Sequence, residues 1–264
     1  MTGTITILGC GSSGGVPRLG FGWGSCDPQE PKNRRRRCSI LVERLSENKK
    51  TTVVIDTSPD LRDQLLSTQT RHLDAVLFTH DHADHVHGID DVRPYALLQR
   101  QRLPVYMDAV TAKGIKKRFS YIFETMDGSD YPPIMEEFTL EIGQKVEISG
   151  EGGPISFLPF KLQHGLVPAL GFRINDVAYT PDVNAIPEES LVSLHNLDVW
   201  IVDALRIAPH PTHFCLSETL HWIEKLNPKR AILTNLHTDM DYATLCNQLP
   251  DHIRPAYDGM VIGF

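Results

Sequence analysis

The stretch THDHADHVHG, residues 79–88, places four histidines and two aspartates directly after the apolar run LDAVLF. Packing alone gives no reason to crowd so many proton-binding and metal-binding side chains into one turn. The spacing His80-x-His82-x-Asp84-His85 sets the geometry. Residues two apart on an α-helix point about 200° away from each other, so His80 and His82 could not share an ion there. On an extended strand end they face the same side. Asp84 and His85 can then turn toward a neighbouring point, so one segment seeds two adjacent metal sites.

Two sites need more ligands, and the chain offers one after each of three expected strands. His164 follows ISFLPFKLQ, Asp182 follows VAYTP and His237 follows RAILTNL. Their common placement suits convergence at one end of a sheet. Other strands are expected at TITIL (4–8), SILVE (39–43), TTVVID (51–56), AVLFTH (75–80), PVYM (104–107), LGFRI (170–174), DVWIVDAL (198–205) and GMVIGF at the end. The polar SENKK segment joins the second and third of these.

Helical spacing is read at DLRDQLL (60–66), with Ser58, Pro59 and Asp60 supplying cap chemistry, and at VTAKGIKKRFSYIFE (110–124). Further helices fit PEESLVSLH, SETLHWIEKL and DYATLCNQL, while residues 126–154 read as loops and short edge strands. Strands and helices mix throughout, with no repeat and no dividing linker. One α+β domain over residues 1–264, layered αββα, is the economical reading.

The hydrophobic fraction of 41% and charged fraction of 22% exclude wholesale disorder. A formal charge of −7 argues against an extended nucleic-acid surface. No apolar run reaches the roughly 20 residues that span a bilayer, and MTGTITILGCG lacks the features of a signal peptide. Five scattered cysteines favour a reducing compartment; the expected location is the cytoplasm.

The segment GCGSSG (9–14) matches a dinucleotide-binding glycine pattern, yet it runs into GVPRLGFGWGSC, where Pro17 and further glycines forbid the helix that pattern requires. It is read as a loop bordering a site or as a plain turn. His72, His195, His221 and His252 have no partners in sequence and are taken as structural; His87 is taken as a surface or supporting histidine.

The ordered set Asp56, His80-x-His82-x-Asp84-His85, His164, Asp182, His237 resembles the five motifs of the metallo-β-lactamase superfamily across nearly the whole chain. The resemblance implies a four-layer αββα sandwich. It also implies one ion on His80, His82 and His164, a second on Asp84, His85 and His237, and Asp182 between them. Asp56 would orient the ligand loop without binding metal. Ligands of this type suit Zn²⁺, with Mn²⁺ and Fe²⁺ also acceptable.

Three features favour phosphodiesters. PKNRRRRCS (31–39) concentrates four arginines before a strand, and arginine forks pair well with phosphate; Arg35 and Arg37 are the candidates, with a solvated basic loop as the plain alternative. HPTHFCLSETL (210–220) puts His213 before a helix start where Ser217 could cap, with His210 a competing choice for protonating a leaving group. GIDDVRPY (88–95) offers Arg93 beside the cluster, although Asp90, Asp91 and Arg93 could simply cap and salt-bridge a helix.

In order and spacing, GCGSSGGVP, NRRRRCS, DTSPDLR, THDHADHVHGIDDVR, QHG, YTPDVN, HFCLSETL and LTNLH are similar to one branch, the phosphodiesterases related to phosphoribosyl cyclic phosphate phosphodiesterase. That branch implies a small phosphate-ester or nucleotide substrate, His213 at the departing oxygen, and Asp84 as both ligand and proton acceptor. Relatives often carry a cysteine cluster for a structural zinc after the glycine loop. Here FGWGSCDPQEPKN leaves Cys26, with Cys38 farther on, so no structural zinc is expected. The other readings of the same chemistry are transfer-RNA 3′-end processing and hydrolysis of a lactam, thioester or lactone carbonyl. Outside enzymes, the fold could serve as a metal-dependent binding or sensor module. Homodimerisation fits the class, but no stretch encodes it.

Overall fold

The computed structural model describes residues 2–264, so Met1 lies outside the described residues. The N-terminal half forms β1 (Thr2–Gly9), β2 (Ser39–Ser46), β3 (Lys49–Ile55), α1 (Leu61–Ser67), β4 (Ala75–Leu77), α2 (Ala83–Val86) and α3 (Arg93–Gln99). It continues through β5 (Leu103–Met107), α4 (Ala109–Phe123) and β6 (Met135–Thr139). The second half supplies β7 (Val146–Ile148), β8 (Ile155–His164), β9 (Val167–Ile174), β10 (Val177–Thr180), β11 (Val199–Asp203) and α5 (Leu216–Leu226). It ends with β12 (Arg230–Thr234), α6 (Tyr242–Gln248), β13 (Ile253–Pro255) and β14 (Val261–Gly263).

Two seven-stranded sheets result, ordered β14-β1-β2-β3-β4-β5-β6 and β13-β12-β11-β10-β9-β8-β7. Side-chain alternation explains why they stack. Ile40, Val42, Val53 and Ile55 point into a layer shared with Phe157, Phe172, Val177 and Ile201 of the other sheet. The intervening Leu41 and Val54 point outward, against Leu61, Leu65 and Ile115 of the helices on that side. Trp200 and Val202 do the same on the second sheet, packing with Ile223 and Leu245. Central strands are thus apolar on both faces, which is the pattern of a sheet covered twice. The architecture is the expected αββα sandwich.

Several local expectations need correction. SENKK does join β2 and β3, but the strands extend into it and only Glu47 and Asn48 turn, both with positive φ (48° and 64°). PEESLVSLH forms a 3₁₀ stretch, Glu188–Leu194, in place of an α-helix. Ser217 does not cap α5; Cys215 takes the cap position, and the Glu218 carboxylate accepts from its N–H at 2.9 Å. Asp60 precedes α1 without capping it through its side chain, because its carboxylate accepts instead from the Arg37 backbone N–H at 2.8 Å. The strand carrying AVLFTH stops at Leu77, and β13 is a strand beyond those expected, whereas α3 begins at Arg93, where GIDDVRPY allows a capped helix.

What matters for the site is direction. β3 and β4 are parallel, as are β10, β11 and β12, and β8 runs with β10 through the antiparallel β9. The C-terminal ends of these strands therefore gather along one edge of the sandwich. Leu170 N–H donates to Thr79 O at 2.9 Å, tying the two sheets together there.

Candidate metal centre

The histidine segment leaves β4 extended and then makes one helical turn. His82 sits at the N-cap of α2 with extended backbone (φ −64°, ψ 152°), and Asp84 and His85 lie within the turn. His80 and His82 come from the extended approach, so the reason they can share a point is the one read from the spacing, although the strand ends earlier than expected. Asp84 and His85 are redirected by the helix, not by a continuing strand.

Three overlapping groups of ligand atoms result, each group lying within 4.8 Å: His80, His82 and His164; His80, His85 and Asp182; His164, Asp182 and His213. His85 Nε2 lies 3.1 Å from Asp182 Oδ1 and 3.5 Å from Asp84 Oδ2. His164 Nε2 stands 3.6 Å from Asp182 Oδ2 and 3.2 Å from His82 Nδ1. The far side of each ring is held by the protein. His164 Nδ1 donates to Thr212 O at 2.7 Å. His85 Nδ1 donates to Asp56 Oδ2 at 2.8 Å.

Asp56 follows β3 in the left-handed region (φ 66°), which aims its carboxylate at the loop. It accepts from Thr79 N–H and Thr79 Oγ1–H, each at 2.8 Å, as well as from His85. This is the arrangement expected for a residue that orients a ligand without being one.

The donor set fits divalent ions. His80 Nε2, His85 Nε2 and Asp182 Oδ1 are fully buried and make no hydrogen bond. Orphaned buried polar atoms carry a cost of about 1–3 kcal/mol each unless something satisfies them. Burial, with His85 beside it, drives the His80 pKa well down, which keeps its inward nitrogen a free lone pair. Burial would raise Asp182, yet His85, His80 and His213 outweigh it and hold the carboxylate ionised. Neutral imidazoles and a buried carboxylate are the species that coordinate zinc-like cations.

Two of the expected ligands, Asp84 and His237, fall outside these groups; His237 stands farther from its place. It is half-buried, its Nε2 accepts from Arg18 Nη1 at 3.0 Å, and its Nδ1 lies 3.4 Å from Asp239 Oδ1. It joins none of the three groups. Of the two histidines competing for the leaving group, His213 reaches the cluster: its ring centroid is 4.5 Å from that of His164, with His210 5.2 Å behind it.

His213 Nδ1 donates to Asp203 Oδ2 at 2.8 Å. Burial would lower its pKa, but the Asp203 carboxylate outweighs burial and holds it up at about 9. Burial raises the Asp203 carboxyl in turn, to about 7, so the proton belongs to the His213–Asp203 pair. Asp203 went unread in the sequence, although the signal existed: it ends DVWIVD as Asp56 ends TTVVID, an acid at the C-terminal tip of a sheet strand.

The arginine expectations fail in part. Arg35 is 2% exposed and cannot meet a substrate. Its guanidinium donates to Met240 O at 2.7 Å and Asn33 Oδ1 at 3.2 Å, and it faces Cys26 Sγ at 3.9 Å, clamping the loop to the turn after β12. Arg37 is engaged by Asp60 at 3.1 Å. Arg93 pairs with Asp90, the plain alternative for that segment, and lines a cavity of about 310 Å³ with Tyr121, Met126, Ser129 and Tyr131. His87 is exposed, edge-on to Phe119. The glycine segment 9–14 is a loop with no helix, as its sequence required.

A metal-dependent hydrolase is the class that this fold and cluster define. Residues 51–235 match the family model for the β-lactamase superfamily domain, and the chain belongs to the metallo-β-lactamase superfamily. A solved structure described as a new diphosphatase from the PhnP family is 34% identical, with a TM-score of 0.88 over 100% of this chain and 98% of that one. Zinc-bound PqqB from Methylobacterium extorquens, at 16% identity and TM-score 0.76, covers 98% of this chain and 99% of its own, and shares the fold. An octanoyltransferase from Porphyromonas gingivalis is 29% identical over 259 residues; the match takes in 96% of this chain, which spans about 50% of that protein's length. No helix among the described residues is long and apolar enough to cross a membrane.

Proposed function

We propose that the chain is a dinuclear phosphodiesterase acting on a small cyclic or nucleotide-like phosphate ester. The observation that carries this reading is His213: an imidazole hydrogen-bonded to a buried carboxylate and standing beside a metal-type cluster. A phosphate ester loses an alkoxide, and an alkoxide needs a proton as it departs. The likeness to a PhnP-family diphosphatase supports the same choice.

His80, His82 and His164 would hold one ion and Asp84, His85 and His237 a second, with Asp182 shared; for His237 this requires its ring to exchange Arg18 for the ion. Bound divalent ions, Zn²⁺ or Mn²⁺, supply Lewis acidity that acidifies water and offsets phosphoryl charge. His213 hands its proton to the leaving oxygen, Asp203 stabilises the imidazolium before transfer, and Asp84 accepts the proton from attacking water. Asp56 keeps His85 in one tautomer throughout.

A panel of ribose 1,2-cyclic, 2′,3′-cyclic and 3′,5′-cyclic phosphates, run with Zn²⁺ and with Mn²⁺, tests the assignment. Turnover of at least one by the wild type, lost in His82→Ala, is expected; full metal loading with no phosphodiester turned over refutes it. The octanoyltransferase relative favours a second reading, thioester hydrolysis, which an acyl thioester in the same panel would reveal by outrunning every phosphate.

A further inference from the structure

We propose that Arg18 is the residue that binds the phosphoryl oxygens of the substrate, a role that rests on the phosphodiesterase reading. Arg18 stands at the base of a small glycine-rich hairpin. Its N–H donates to Gly22 O and Gly22 N–H returns the bond to Arg18 O, each at 2.8 Å. Gly20 and Gly22, with φ of 75° and 68°, let the chain reverse there. The side chain then passes Gly14, where an added Cβ would meet its Cγ and Nε at 2.8 Å, and ends on His237 Nε2 at 3.0 Å. The turn bearing His237 is laddered to the segment bearing His213, because His237 N–H donates to Leu205 O and Leu205 N–H to Phe214 O. Arg18 therefore delivers its charge to the leaving-group side of the cluster.

Several other arginines spend their charge on carboxylates. Arg36 is neutralised by Asp258 at 3.0 Å, Arg37 by Asp60 at 3.1 Å and Arg118 by Asp81 at 2.7 Å. Among the described residues no carboxylate pairs with Arg18. It has the His237 imidazole at its tip and the Phe21 ring 5.1 Å from its guanidinium carbon. A charge-assisted bond to an anion is roughly twice as strong as one to a neutral acceptor, and the guanidinium fork matches two phosphoryl oxygens. Once His237 turns to the ion, the Arg18 guanidinium is released beside that ligand and is left to meet a phosphate entering the centre. Phe21, 77% exposed, steadies the guanidinium plane from the solvent side.

The experiment compares metal-loaded wild type with Arg18→Met and Gly14→Ala, the second displacing the side chain while keeping its charge. Inorganic phosphate is titrated calorimetrically, elemental analysis counts metal per chain, and KM and kcat are taken on bis(4-nitrophenyl) phosphate. Arg18→Met should weaken phosphate binding about 10- to 100-fold and raise KM similarly, with metal content unchanged; Gly14→Ala should fall between. Phosphate affinity equal in wild type and Arg18→Met overturns the proposal, as does a variant that loses metal in step with affinity, or a wild type that binds no phosphate. If the wild type turns over no phosphodiester but Arg18→Met still loses phosphate affinity, the function reading fails while the binding role stands.

Discussion

Single side chains near the centre divide by what their polar atoms touch. Asp203 illustrates the division: one oxygen is bonded to His213 and to the Val183 N–H at 3.1 Å, while the other has no partner. Replacing it by asparagine keeps the shape and removes the charge that holds the His213 proton. Asp203→Asn should lower kcat about 10- to 100-fold with KM and metal content little changed, measured by steady-state kinetics beside elemental analysis. A loss of metal instead would make Asp203 a scaffold residue. Arg35 behaves oppositely. Its Nη2 donates to Met240 O and Asn33 Oδ1 inside the protein, while Nε has no partner, so Arg35→Leu should cost about 2–4 kcal/mol in denaturant unfolding without changing which substrates are taken.

At the scale of elements, α6 shows how a short helix is held. It is seven residues long, and its N-cap Asp241 accepts from Thr244 N–H at 2.8 Å through one oxygen. Through the other it accepts from Asn33 Nδ2 at 2.7 Å and the Asp27 N–H at 3.1 Å. Burial works against the charged form, but these donors outweigh it and lower the carboxyl pKa to about 2. A pKa depressed below its unfolded value of about 4 stabilises the fold above that value and stops doing so as the pH falls toward the folded one. The stability gap between wild type and Asp241→Asn should therefore be full above about pH 5 and close between about pH 4 and pH 2, read by urea unfolding across that range. Asp241→Ala should cost about 1–2 kcal/mol at neutral pH.

For the molecule as a whole, the centre lies where two sheets meet. His80, His82 and His85 leave the first sheet, and His164 and Asp182 leave the second. Ions held by both sides tie the halves of the sandwich to one another, so ligand binding is also folding energy. Exhaustive chelation should lower Tm by about 5 °C or more, with Zn²⁺ restoring it and Asp182→Asn insensitive to either treatment. An unchanged melting curve on chelation of a protein shown to contain metal would remove this coupling.

Much of this was legible in the chain. The apolar runs in SILVE, TTVVID and DVWIVD are a local signal, and they predict strands because burial on two faces leaves a short continuous apolar record. The spacing of His80, His82, Asp84 and His85 carried its chemistry for the same reason: all four sit within one short segment whose geometry few conformations satisfy. What lay beyond sequence was partnership across the fold. Nothing local distinguishes Arg35, locked under the turn after β12, from Arg37 two residues later, and nothing near Asp203 announces His213 ten residues on. Arg18 and His237 are 219 residues apart and meet only because the glycine loop crosses the edge where β12 ends. Composition and periodicity are properties of a segment, whereas a side chain's charge, exposure and role depend on what the rest of the chain brings within about 3 Å of it.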